Sequence, residues 1–76
     1  MKITYDPETD TLTIRIKEVE ISESDELQQG VIADFDKGGN IVGLEILEAT
    51  KRVTEPQNII FESMEHNADR GKARAS

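Results

Sequence analysis

The fold is decided by the stretch Val31-Ile32-Ala33-Asp34-Phe35-Asp36-Lys37-Gly38-Gly39-Asn40-Ile41-Val42-Gly43-Leu44-Glu45-Ile46. Two apolar runs with alternating polarity flank the polar, glycine-containing residues 36–40. A period of two with β-branched residues is typical of strands that bury one face. Glycine takes the positive φ values of tight hairpin turns at no steric cost. The stretch therefore predicts a β-hairpin whose turn is formed by residues 36–40.

The alternation also assigns the side chains of this hairpin to two faces. The predicted buried face carries Val31, Ala33, Phe35, Val42, Leu44 and Ile46. We expect Asp34 and Asp36 to point outward, with Ile32, Ile41 and Gly43 also on the side opposite the core. The candidate surface for a protein partner consists of Ile32, Asp34, Asp36 and Ile41.

A similar hairpin is predicted at the start of the chain. Residues 2–5 and 11–16 alternate in polarity, and the break between them contains Pro7 flanked by Asp6 and Asp10. Proline and aspartate favour turns, because proline fixes φ and aspartate bonds nearby backbone N–H groups. The residues expected on its buried face are Ile3, Tyr5, Leu12, Ile14 and Ile16.

The segment between the two hairpins has a weaker pattern. Val19 and Ile21 alternate with polar residues, and residues 23–26 are all polar. This favours a short edge strand followed by a loop. The alternative is a helical turn capped by Ser22 or Ser24, because serine followed by acidic residues is a signal for a helix N-terminus.

Two further elements are predicted after the second hairpin. Residues 47–52 lack alternation and contain good helix formers, so a short helix is expected there. Pro56 closes any such helix, because the residue before a proline is pushed out of the α region. Residues 58–64 favour a strand with Ile59 and Phe61 facing inward, and a helix that starts at Pro56 is the alternative.

These patterns predict a single α+β domain over residues 1–64. It consists of a small antiparallel sheet of four to five strands, formed by two β-hairpins, and one short helix. A chain of 76 residues is short for more than one domain. Residues 65–76 are small, polar and charged, and they predict a flexible tail in which His66 is exposed to solvent.

The charge is unevenly distributed along the chain. Residues 1–50 contain four basic and twelve acidic side chains, a net charge of −8, whereas residues 51–76 have a net charge of +1. Nucleic-acid binding requires neutralisation of phosphates, so an acidic body argues against a DNA or RNA partner. A basic protein partner is favoured electrostatically, although such charge also serves solubility alone.

Cysteine content and hydropathy exclude several other classes. The chain has no cysteine, which excludes disulfides and thiolate chemistry. The first six residues lack the apolar stretch of a signal peptide, and no run approaches the roughly 18 apolar residues of a membrane span. We expect a soluble, cytoplasmic protein with no membrane partner.

No catalytic site, metal site or cofactor site is predicted. Asp6, Glu8 and Asp10 alternate like the first ligands of a calcium-binding EF-hand loop, but Thr11 and Lys17 stand where that loop needs glycine and glutamate. Paired carboxylates catalyse reactions when a cleft shifts their pKa values apart, and one small sheet offers little concavity. We therefore expect a protein that is not an enzyme and has no cofactor.

Three motifs resemble a known family. They are the residues 5–12 (Tyr-Asp-Pro-Glu-Thr-Asp-Thr-Leu), the residues 30–36 (Gly-Val-Ile-Ala-Asp-Phe-Asp) and the residues 41–52 (Ile-Val-Gly-Leu-Glu-Ile-Leu-Glu-Ala-Thr-Lys-Arg). In this order they resemble the prokaryotic family named domain of unknown function 2283, over roughly residues 3–53. The family's Pro-x-x-apolar-x-Phe continuation is similar to residues 56–61, which favours the strand over 58–63.

The resemblance implies a small soluble protein without known catalytic residues. Genes of this family that lie beside toxin-like genes imply an antitoxin-like role as one alternative. One short helix cannot cover a whole sheet, and a sheet needs its apolar face covered. The function predicted here is therefore a non-catalytic protein–protein interaction module, with homodimerisation as one form. The alternative is an antitoxin-like partner that masks a basic toxin, and a remote alternative is a metal-binding or hydrolytic enzyme that uses the turn carboxylates.

Overall fold

The computed structural model describes residues 1–65. Antiparallel strands and one helical turn account for its regular structure. The elements are β1 (Lys2–Asp6), β2 (Thr11–Arg15), β3 (Glu23–Gln28), β4 (Val31–Phe35), β5 (Ile41–Leu47) and α1 (Ala49–Arg52). The predicted α+β class with one short helix is confirmed.

All five strands belong to one sheet with the order β1-β2-β5-β4-β3. Every neighbouring pair is antiparallel. The two predicted hairpins are β1–β2 and β4–β5, and the pairing of β2 with β5 joins them. A third hairpin, β3–β4, was not predicted and places β3 at the edge opposite β1.

The position predicted for the edge strand was wrong. Residues 18–22 contain no strand, and the wholly polar residues that were assigned to a loop form β3. Residues 16–22 instead run from the end of β2 to the far edge of the sheet. The Arg15 side chain holds this connection, since its Nε donates to the Lys17 carbonyl at 3.1 Å and its guanidinium donates to the Val19 carbonyl at 2.9 Å.

The strand register confirms most of the predicted apolar face. One row of cross-strand partners is Ile3, Ile14, Leu44 and Ala33, and the next row is Tyr5, Leu12, Ile46 and Val31. A register shift between Asp34 and Phe35 places Phe35 opposite Ile41. Such a bulge sets two residues against one and bends the strand.

Asp10 joins the first hairpin to α1. Its carboxylate accepts hydrogen bonds from the Tyr5 hydroxyl at 2.7 Å and from the Thr50 hydroxyl at 2.7 Å. The backbone N–H of Thr50 also donates to this carboxylate, and the N–H of Ala49 donates to the Asp10 carbonyl at 2.9 Å. Asp10 thus satisfies N–H groups that the start of a helix leaves without partners.

The buried apolar core is small. Its members are Leu12, Ala33, Val42 and Ala49. Of the five residues predicted to be buried in the first hairpin, only Leu12 is buried, and Ile3 and Ile16 are about 40% exposed (40% and 41%). The apolar face exists as predicted, but the described residues cover it only in part.

Residues 58–65 form neither the predicted strand nor the alternative helix. Pro56 is buried, and the chain then continues without regular structure, with its large apolar side chains exposed. His66 and the rest of the predicted tail beyond Glu65 lie outside the described residues.

Candidate interaction surface

The apolar face of the sheet receives part of its cover from the chain that follows α1. Residues 53–59 pass beside β1 and β2 and form one wall of a cleft of about 350 Å³. The opposite wall consists of Ile3, Leu12 and Ile14. This cleft is lined mainly by apolar side chains, and it is open to solvent because its walls include the exposed Ile3 and the half-exposed Ile14.

The chain beyond this cleft presents four large apolar side chains to solvent. Ile59 is 49% exposed, Ile60 is 75% exposed, Met64 is 78% exposed and Phe61 is 88% exposed. Single exposed apolar residues are ordinary, whereas contiguous ones mark binding sites. We call residues 59–64 the apolar strip, and the strip together with Ile3, Ile14 and Ile16 the open apolar surface.

Asp34, which was predicted to point outward into solvent, is 2% exposed. It does lie on the face opposite Ala33, but two neighbours enclose it there. Ser24 of β3 donates a hydrogen bond of 2.6 Å to its Oδ1. Gly43 of β5 is its cross-strand partner and has no side chain, so the carboxyl group lies directly over the backbone of β5.

The other three residues of the predicted partner surface differ in position and in exposure. Asp36 lies in the β4–β5 turn, where its Oδ1 accepts the N–H groups of Gly38 and Asn40, each at 2.9 Å. Ile32 is partly buried beside Glu45 in the middle of the sheet. Ile41 is exposed at the start of β5. Of the four residues, Asp34 is buried, Ile32 and Asp36 are partly buried, and Ile41 is exposed.

Two turn carboxylates are held in their ionised form by hydrogen bonds. Donation by the Tyr5 hydroxyl, and then by Thr50, lowers the pKa of Asp10 below its ordinary value of 3.8. The backbone N–H and side chain of Asn40 lower the pKa of Asp36 in the same way. The hydrogen bond to Asp10 raises the pKa of Tyr5 above 10.0. These groups stabilise the turns that contain them.

Glu45 behaves in the opposite sense. Burial raises the pKa of Glu45 above 4.5, and a hydrogen bond with Asp34 and the negative charge of Asp34 raise it further. A carboxylic acid that keeps its proton can donate to a neighbouring carboxylate, and this is how two adjacent acids share a site. The pair lies on the polar face of the sheet, opposite the open apolar surface.

Within residues 1–65 the acidic side chains do not form a metal-binding cluster. No group of three or more His, Asp or Glu residues in this part of the chain is placed to hold a metal ion. Asp6, the first residue of the acidic turn, uses its Oδ1 to accept the N–H of Glu8 at 2.9 Å. Asp10, the last, is bonded to Tyr5 and Thr50.

A second cleft, of about 450 Å³, lies between the β2–β3 connection and the β4–β5 turn. Its walls are residues 19–22 and 36–38, with Glu20 and Lys37 contributing opposite charges. The Asp36 carboxylate on its wall is bonded to the turn backbone. This cleft forms where the β2–β3 connection passes beside the β4–β5 turn. None of the helices described over residues 1–65 has the length and apolar character to cross a membrane.

Fold and surface together define a small α+β protein built on one antiparallel sheet with a partly open apolar face. The chain belongs to the family described as Protein of unknown function (DUF2283), whose model matches residues 2–49. The match extends from the start of β1 to the first residue of α1, so it includes the whole sheet. No curated protein and no solved structure matches the chain.

Sequence reasoning missed the interactions that depend on distant parts of the chain. Asp10 was interpreted as a turn residue, whereas it also binds α1 forty positions later. Arg52 was assigned to a helix, and its guanidinium also donates to the Gln29 carbonyl in the β3–β4 turn. The usable signal for Asp34 was Gly43, because a glycine inside an apolar strand suggests that something approaches its backbone closely.

Proposed function

We propose that this protein is a non-catalytic, cytoplasmic protein–protein interaction module that binds through its open apolar surface. The observation that carries the proposal is the exposure of Phe61, of which 88% is accessible, beside Ile60 and Met64. Burial of each such side chain contributes about 1.5–3 kcal/mol. Three of them buried in a partner supply a large share of the roughly 8 kcal/mol of a micromolar complex.

The hydrogen bonds of the carboxylates support a role without catalysis. A general acid or base must lie within hydrogen-bond reach of the substrate atom to which it donates a proton or from which it accepts one. Asp10 is bonded to Tyr5 and to Thr50 of α1, and Asp36 is bonded to the backbone and side chains of its own turn. Asp34 interacts with Glu45 and accepts a hydrogen bond from Ser24 between packed strands. These interactions account for the acidic groups without a substrate.

The test is affinity capture from cells of the source organism, with the wild-type chain and matched variants as baits. Phe61→Asp and Ile60→Asp place a charge in the apolar strip at positions that the fold leaves exposed. Leu27→Asp is the control, because Leu27 is 56% exposed on the far edge strand. We expect a defined protein, or the chain itself, to be retained by the wild type and by Leu27→Asp and to be lost from both strip variants. Equal retention by all four chains would contradict the proposal.

The charge of the body favours one alternative, an antitoxin-like partner. Residues 1–50 have a net charge of −8 and include all of the sheet. Complementary charge accelerates association with a basic protein and makes the rate fall as salt rises. Co-expression with a basic protein encoded beside this one tests the alternative. A complex whose affinity falls strongly between 0.05 and 0.5 M salt supports the alternative. If cells that express the basic protein grow equally well with and without this chain, the alternative is contradicted.

A further inference from the structure

We infer that the partner of the open apolar surface is a second copy of this chain, in which the apolar strip of each copy lies across the apolar sheet face of the other. This inference rests on the proposed function and specifies the partner. Within residues 1–65 the chain presents both an apolar face that is covered only in part and an apolar strip whose residues after Ile59 are largely exposed. Two such copies related by a two-fold axis satisfy both needs at once, because the same two patches meet twice.

The strip has the length for this arrangement. It begins at Ile59, which lines the cleft beside Ile3 and Ile14, so the strip leaves its own sheet next to β1 and β2. Six extended residues span about 20 Å. Neighbouring strands are about 4.8 Å apart, so the strip of one copy can cross the partner's face from β1 to β4. Along that path it meets Ile16 and the half-exposed Leu44 and Phe35.

The exposed area matches that of a dimer interface. The large exposed side chains of the open apolar surface are Ile3, Ile16, Ile59, Ile60, Phe61 and Met64. With about 200 Å² for a complete side chain of this size, their exposed parts amount to roughly 700 Å² per copy. A stable interface buries about 800 Å² per partner, and homodimer interfaces are about 65% apolar. The surface is therefore large enough for a dimer.

The salt dependence of binding distinguishes a second copy of this chain from a basic protein partner. Each copy has a formal net charge of −7, so two copies repel each other. The acidic residues of β3 lie at the edge of the sheet opposite β1, and Glu62 is the one acidic residue of the strip. Repulsion over such distances is screened by salt, since the Debye length falls from about 30 Å at 0.01 M to about 3 Å at 1 M. The homodimer therefore strengthens as salt rises, whereas a complex with a basic partner weakens.

Sedimentation equilibrium of the full chain tests the stoichiometry. We expect a monomer–dimer equilibrium whose Kd decreases from 0.05 to 1 M NaCl. Phe61→Asp should raise the Kd about 100- to 10,000-fold, as expected for removing two buried aromatic side chains, one from each copy. Leu27→Asp should leave it unchanged, and circular dichroism should show that both variants fold.

Cross-linking tests the geometry. Because the chain has no cysteine, each introduced cysteine is unique. Phe61→Cys on one copy and Ile16→Cys on an isotopically labelled copy should form a mixed disulfide. Phe61→Cys with Glu26→Cys, which lies on the exposed β3 edge, should not. A dimer that survives Phe61→Asp, or that cross-links equally through position 26, would overturn the inference.

The two proposals fail in different ways. A monomer at every concentration and salt would overturn the homodimer, but the proposed function would stand if another protein were still captured in a manner that depends on Phe61. A monomer with no such capture would overturn both.

Discussion

Gly43 and Asp34 are cross-strand partners so close that a β-carbon at position 43 would lie 3.1 Å from Oδ2 of Asp34. The same β-carbon would lie 3.3 Å from the Ile14 carbonyl oxygen. Glycine therefore leaves the space in which the carboxyl group lies over β5. Asp34 is therefore buried against the sheet and is not exposed to solvent, because its neighbour Gly43 has no side chain.

Gly43→Ala should destabilise the protein by about 1–3 kcal/mol, the usual cost of excess volume in a packed site. To relieve these contacts, the Asp34 carboxyl group, which is bonded to Ser24, and the backbone of Ile14 must each shift by a few tenths of an ångström. The measurement is the midpoint of urea denaturation. Thr13→Ala, on the same face of β2, is the control and should cost less. An unchanged midpoint for Gly43→Ala would show that the site is looser than the structure indicates.

Ser24→Ala should destabilise the protein by about 1.5–3 kcal/mol, because a buried carboxyl group loses a hydrogen bond of 2.6 Å. The effect should concentrate on β3, since this bond ties the edge strand to β4. Amide hydrogen exchange checks this, with faster exchange expected for β3 than for β2. Ser22→Ala is the control, because the contact of Ser22 with β4 is made by its backbone N–H. Equal exchange in the two variants would refute the role of the hydroxyl.

Stability should depend on pH in two opposite ways. The folded pKa of Glu45 is raised above 4.5, so the native state holds the proton longer than the unfolded chain and stability falls as pH rises through that pKa. The folded pKa values of Asp10 and Asp36 lie below 3.8, so their contribution is lost as pH falls through them. Tm should therefore be highest on the acidic side of neutrality.

Glu45→Gln distinguishes the loss of stability at higher pH from the loss at lower pH, which we call the acidic limb. It removes the ionisation but keeps a donor toward Asp34, so Tm should rise at neutral pH and should fall less as pH rises above 4.5. The acidic limb should remain. Glu20→Gln is exposed and changes the net charge equally, so it controls for general repulsion. If the two variants show the same pH profile, Glu45 has no specific effect.

Asp10→Asn should lower Tm by roughly 4–8 °C, because asparagine keeps only one of the two accepting oxygens and the loss of one hydrogen bond costs about 1 kcal/mol in a domain of this size. Asparagine tolerates the left-handed backbone of this residue, where φ is 54°, so the change removes only charge and an acceptor. Asp6→Asn is the control, because Asp6 bonds only the adjacent Glu8 N–H. An equal loss for both variants would mean that the link to α1 contributes nothing.

The sequence predicted the strands that bury one face. In β2 and β5 the alternation of apolar and polar residues indicates one face that packs against the core and one that faces solvent. The strand register places the apolar residues of both strands on the same face. In β3 all six residues are exposed, so no alternation exists to be read. β3 forms because its backbone pairs with that of β4, so its own residues alone do not predict it.

The candidate site was predicted less well for the same reason. The burial of Asp34 depends on Gly43 and Ser24, and the alternation of β4 alone cannot indicate it. The apolar residues 59–64 were assigned to a strand because apolar runs usually pack inside their own domain. In this chain they are exposed, and the inferred partner copy supplies the burial that the pattern predicted.

The unlike edges of the sheet limit how many molecules can associate. The β1 edge carries Ile3 and Tyr5, whereas the β3 edge presents Glu23, Asp25 and Glu26 to solvent. A strand from another molecule that paired with β3 would bring its own groups beside these carboxylates, and charged edge residues oppose such pairing. Filament growth requires every molecule to add neighbours at both of its edges. Because the charges of β3 oppose pairing at one edge, they disfavour edge-to-edge growth of the folded sheet into a filament.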